Sequence, residues 1–153
     1  MSGMGYGELL VDLGSGDKLF KAFEGKLPEG VTMIPQNKLH ATLMYDVRNP
    51  DVIASKSNKV YKCKIVGIEQ LGDINSKWAA AVLLLESEQV QDRFKTLLEE
   101  GFEHSYPDLK LHVSLSYGQA TAEVLPVLKE LFEAGKLPAT ITLCNETWST
   151  CDD

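Results

Sequence analysis

Apolar and polar positions follow two periods along this chain, and they follow them twice. Residues 7–14 (GELLVDLG) are dominated by apolar side chains and predict a strand. Residues 15–27 place Leu19, Phe20 and Phe23 on one stripe at helical spacing, with Ser15 as candidate N-cap and Gly25 as candidate terminator. A polar loop follows, and then Lys38–Asp46 (KLHATLMYD), a second strand. The series recurs from Lys77. WAAAVLLLE gives a strand, and a helix with Val90, Phe94, Leu97 and Leu98 on its apolar side follows. Ser87 is its candidate N-cap and Gly101 its terminator, and Lys110–Gly118 (KLHVSLSYG) is the second strand. Each copy is followed by one more alternating strand, within Lys59–Gly72 and Pro138–Ser149. Only the second copy inserts a helix before it, within Thr121–Pro138, where Pro126 is expected near the first turn. The first copy has only the loop Arg48–Asn58 at that point.

The pattern predicts one α+β (α/β) domain spanning 1–153. Lobe 1 covers about 6–73 and lobe 2 about 77–150, each a small, mainly antiparallel sheet with a packed helix. A pseudo-twofold axis would bring the two K-L-H-x-[ST]-L-x-Y strands to one cleft. In a strand, alternate side chains share a face. Strict alternation groups Lys38, His40, Thr42 and Met44, and likewise Lys110, His112, Ser114 and Ser116. It sends Tyr45 and Tyr117 to the core with the intervening apolar residues, and Trp78 is also read as core.

Two imidazoles and two hydroxyls on facing strands would meet the needs of phosphodiester cleavage without a metal. One imidazole activates a nucleophile, the other protonates the leaving oxygen, and hydroxyl donors meet the charge on the non-bridging phosphate oxygens. His40, Thr42, His112 and Ser114 are therefore the candidate catalytic residues. Candidate substrate contacts are Lys38 and Lys110, two positions before the histidines, Tyr6 above the cleft, and Trp148 as a base-stacking aromatic. Glu146, which aligns with Glu69 in the repeat, completes them, either accepting a hydrogen bond from a base edge or orienting a histidine. His104, in the polar segment FEHSYPD without a counterpart in the first copy, reads as a solvated loop residue.

The paired motifs HATL (His40–Leu43) and HVSL (His112–Leu115) resemble the H-x-[ST]-h signature of the 2H phosphoesterase superfamily, over nearly the whole chain. Within it, the chain is most similar to the compact phage anti-CBASS nucleases. The resemblance implies a bilobal fold, no cofactor, no metal, and cleavage of cyclic di- or trinucleotide signals. In those enzymes the nucleotide's own 2′-hydroxyl serves as nucleophile. The alternatives are a 2′,3′-cyclic phosphodiesterase of RNA processing and a non-catalytic nucleotide-sequestering module, and two intact motifs speak against the latter.

Composition narrows the partners. With 44% hydrophobic and 24% charged residues, the chain reads as a globular domain with a core of its own. The net charge of −7 disfavours duplex nucleic acid, which is bound by neutralising phosphates. The longest apolar run, Trp78–Leu85, is too short to cross a bilayer, and the N-terminus carries no basic leader. The three cysteines, Cys63, Cys144 and Cys151, form no CxxC pair. A monomeric cytoplasmic protein with reduced thiols and a small nucleotide partner is expected.

Overall fold

The computed structural model describes residues 5–28, 31, 33–46, 52, 54–73, 76–77, 79–105 and 109–149. Trp78, Cys151 and the loop residues 47–51 and 53 lie outside them, as do the expectations placed there. The elements run β1 (Tyr6–Val11), α1 (Leu13–Phe23), a 3₁₀ turn (Gln36–Lys38), β2 (His40–Tyr45) and β3 (Tyr61–Leu71). Then come β4 (Ala80–Glu86), α2 (Glu88–Glu99), β5 (His112–Tyr117), α3 (Ala120–Glu133) and β6 (Thr140–Ser149).

All six strands join one sheet in the order β2-β1-β6-β3-β4-β5, and every pairing is antiparallel. The fold class is the α+β one expected, but the two small sheets are fused edge to edge through β3 and β6. Exchanging each strand for its repeat partner, β1 for β4, β2 for β5 and β3 for β6, reverses the order and leaves it unchanged. This is the signature of an internal twofold. The third strand of each copy pairs beside the first strand of the other: β6 on β1 and β3 on β4.

One side of the sheet is the core. Leu9, Val11, Ala41, Leu43, Leu83 and Val113 pack there with Leu19 and Phe23 of α1, Val90, Phe94 and Leu97 of α2, and Val124 and Leu128 of α3. Each of these side chains larger than alanine contributes roughly 1.5–3 kcal/mol by leaving water. Ser87 caps α2 as expected, accepting from Val90 N–H at 3.2 Å. Ser15 does not cap α1. That helix starts earlier, with Asp12 at the N-cap, and the buried Ser15 hydroxyl instead accepts from the Thr142 N–H of β6 at 2.8 Å. Because α3 begins at Ala120, Pro126 falls in its second turn rather than the first. Cys63 and Cys144 are free, and burial pushes the Cys63 thiol up to about 11.

Gly7 shows how closely the core side is filled. It lies opposite Trp148 in the β1–β6 register, and a Cβ at Gly7 would fall 2.7 Å from the indole ring. Trp148 is also stacked on Phe102, with ring centroids 5.0 Å apart, so the indole has little room to retreat. Gly7→Ala is expected to destabilise by about 1–3 kcal/mol, the usual cost of overpacking. Chemical denaturation checks this, and an unchanged midpoint would show that the ring shifts freely.

Candidate active site

Each motif strand carries a one-residue bulge in the same place. In the β1–β2 register Glu8 faces Thr42 and Gly7 faces Met44, which leaves Leu43 as the extra residue. In β4–β5, Val82 faces Ser114 and Ala81 faces Ser116, which leaves Leu115 extra. A one-residue slip turns every later side chain to the other face. Met44 and Ser116 are therefore fully buried on the core side, and Ser116 Oγ meets Thr121 Oγ1 at 3.0 Å. Tyr45 and Tyr117 turn the opposite way. Strict alternation, which ignores the bulge, puts each of these four side chains on the opposite face. Tyr117 is 53% exposed, and Tyr45 stands opposite Tyr6, their rings edge to face at 6.3 Å.

The free edges of the sheet, β2 and β5, come together. Their Cα positions approach within 8 Å, and Ile34 N–H donates to Leu115 C=O at 2.9 Å. The two histidine strands end the hydrogen-bonded order at opposite sides, yet are neighbours in space. His40, Thr42, His112 and Ser114 are all half-buried, on the polar phase of their strands. Both rings are held alike. His40 Nδ1 sits 3.0 Å from Lys38 C=O, and His112 Nδ1 sits 2.7 Å from Lys110 C=O. A carbonyl can only accept, so each Nδ1 carries hydrogen and each Nε2 is the atom available for proton transfer.

Around this pair the structure adds Glu8, which strand periodicity alone did not single out. Glu8 Oε2 lies 3.6 Å from His40 Nε2 and accepts from the Tyr6 hydroxyl at 3.0 Å. The same hydroxyl is 3.3 Å from Thr42 Oγ1. Burial, ahead of the neighbouring Glu8 charge, pushes the Tyr6 phenol up to about 12, so it remains a donor at neutral pH. Lys110 forms an ion pair with Glu69 on β3, and Lys38 is exposed at the end of the 3₁₀ turn. Glu8 had one signal in the sequence: it is an acid in an otherwise apolar strand, in phase with Tyr6.

A scan of protein families matches the family model described as "Anti-CBASS protein Acb1" to residues 21–146, well over half of the chain. The chain belongs to this family. No curated protein matches it in sequence. Among solved structures, one described as a phosphoesterase is similar at 9% identity and a TM-score of 0.50, covering 78% of this chain and 75% of its own. E. coli LigT complexed with 3′-AMP aligns over 99% of this chain and 97% of its own, at 9% identity and a TM-score of 0.45. The paired motifs, the fold and the family together make this Acb1-family protein an enzyme of the phosphodiesterase class.

Two expected substrate contacts of this Acb1-family protein lie elsewhere. In β6, Asn145 and Glu146 together face the single residue Leu9, a second type of bulge made possible by Asn145 at φ 52°. The slip puts Thr147, not Glu146, opposite Glu8, and it turns Glu146 and Trp148 to the core side. There Glu146 accepts from Arg93 Nε at 2.9 Å and Nη2 at 2.7 Å, and from Trp148 Nε1 at 2.9 Å. Glu146 and Trp148 line a cavity of about 500 Å³ with residues 54–58, which does not include the histidines. His104 is not a solvated loop residue either. It is half-buried, its Nδ1 accepts from Tyr45 N–H at 3.0 Å, and its ring meets Phe94 edge-on. Burial holds its pKa below the usual histidine value. Among the described residues, no helix is long and apolar enough to cross a membrane, and no group of three or more His, Cys, Asp or Glu is placed to hold a metal ion.

Proposed function

We propose that this protein cleaves the 3′,5′-phosphodiester bonds of cyclic di- or oligonucleotide signals without a metal ion, and so disarms CBASS immunity. The observation that carries the reading is the matched presentation of His40 and His112. Each is anchored through Nδ1 to a carbonyl two residues upstream, and the two strands converge across an internal twofold. A cyclic dinucleotide offers the same pseudo-twofold arrangement of two bases and two phosphates. Thr42 and Ser114 donate to the non-bridging oxygens of the phosphate between the rings. The exposed Tyr117 supplies a face for a base, a contact worth about 1–3 kcal/mol in single-strand binders. Both motif strands belong to one chain, which suits a monomer working in the compartment where the signal is made.

The test is a panel of linear and cyclic nucleotides with 3′,5′ and 2′,5′ linkages, incubated with EDTA and read by mass. Cleavage of a cyclic 3′,5′ substrate at an undiminished rate supports the reading. Turnover of 2′,3′-cyclic phosphates alone, or dependence on added zinc, manganese or magnesium, overturns it. A cyclic dinucleotide with deoxyribose at the cleaved position should bind without reacting if the 2′-hydroxyl is the nucleophile.

The hydroxyls give a separate prediction. Thr42→Val and Ser114→Ala should each lower kcat by about 10²–10³, the usual cost of losing one transition-state donor. An effect confined to KM would show that they only position the ground state.

A further inference from the structure

The two motifs match at Nδ1 but differ at Nε2. In register, Glu8 faces Thr42 while Val82 faces Ser114. Val82 is therefore the twofold counterpart of Glu8, and Ala80, opposite Tyr117, is the counterpart of Tyr6, opposite Tyr45. Val82 and Ala80 are buried and apolar. His40 thus has the Lys38 carbonyl at Nδ1 and the Glu8 carboxylate 3.6 Å from Nε2, an ion-pair distance that favours the ring with hydrogen on both nitrogens. His112 has an acceptor at Nδ1, and among the described residues no group pairs with its Nε2. A neutral ring satisfies that arrangement and offers the Nε2 lone pair. Glu8 is itself held by the Tyr6 hydroxyl, which is in turn close to Thr42.

Resting on the phosphodiesterase reading, we propose that Glu8 is a positioning residue that makes His40 the proton donor and leaves His112 as the proton acceptor. As the attacking oxygen bonds to phosphorus, its proton passes to His112 Nε2. The bond from phosphorus to the leaving oxygen breaks with its electron pair on that oxygen, which takes the proton from His40 Nε2. His112 ends with one proton more and His40 with one fewer.

Replacing the leaving oxygen with sulfur separates the two roles, because a thiolate departs without a proton. The probes are a cyclic dinucleotide and its analogue with bridging 5′-sulfur at both linkages. On the oxygen substrate, His40→Ala, His112→Ala and Glu8→Gln should all be slower than wild type, Glu8→Gln by at least about tenfold, short of the about 10²–10⁴ expected for losing a ring itself. On the sulfur substrate, His40→Ala and Glu8→Gln should recover to near the wild-type rate, and His112→Ala should not. Glu8→Asp, which keeps the charge, should be less impaired than Glu8→Gln on oxygen. Rescue of His112→Ala instead of His40→Ala would reverse the assignment. Equal loss by Glu8→Gln on both substrates would reduce Glu8 to a structural role, and full activity of Glu8→Gln on oxygen would remove it altogether. Wild-type protein inert toward the oxygen substrate would sink the phosphodiesterase reading, and this assignment with it.

Discussion

His40→Ala and His112→Ala should each cut turnover of the proposed cyclic nucleotide substrate by about 10²–10⁴, the span of a single general acid or base. Proton removal and proton delivery belong to the same displacement, so losing either ring disables it. The double variant should then be little slower than the worse single one, because residues that act as a unit do not lose rate additively. One ring must enter the step neutral and the other charged, so the wild-type rate should rise and fall with pH. Stopped assays read by mass, with melting curves to show that the variants stay folded, check all three outcomes. Additive losses in the double variant would mean that the rings act in separate steps. A single variant retaining most of its rate would remove that ring from the chemistry.

Arg93→Ala should cost about 3–5 kcal/mol of stability, because it strips the partner from a buried carboxylate. The Arg93 and Glu146 side chains are only 9% and 2% exposed. Arg93 also donates to Ser55 Oγ at 2.9 Å and Ser55 C=O at 2.6 Å, so it fastens the segment before β3 to α2. At about 2–4 °C per kcal/mol for a chain of this size, Tm should fall by roughly 10 °C. Replacing both partners with leucine should cost much less, since no charge is then stranded. A Tm within about two degrees of wild type for Arg93→Ala would show that water reaches Glu146 and that the pair is not a buried one.

The same pair shows where sequence reading ends. The six strands and three α-helices of the described residues follow from apolar periodicity, and the histidines and their hydroxyls follow from the repeat. Alternation, however, holds only while each residue has one partner. Leu43, Leu115 and the Asn145–Glu146 pair each break that count, and each break turns the next side chains over. Tyr45 and Tyr117 thereby reach the polar face, and Glu146 and Trp148 leave it. A bulge is a property of two paired strands, and neither strand shows it alone. The partner of β1 is likewise hidden, since β6 lies more than 120 residues further along the chain. Ser15 has the right type and nearly the right position for a cap, but a β6 amide took its oxygen first.

The exchange of β3 and β6 carries a consequence for ancestry. A chain with one copy of the repeat would end in a strand that has no place in its own half-sheet. Two such chains could complete each other only by swapping that strand, and the cleft would form where they met. Its assembly would then depend on concentration, and its two sides would be identical. Linking the copies in one chain removes both restrictions. The site forms at any dilution, and a change on one side need not be copied on the other. That freedom is what lets Tyr6 and Glu8 stand where the second copy has Ala80 and Val82.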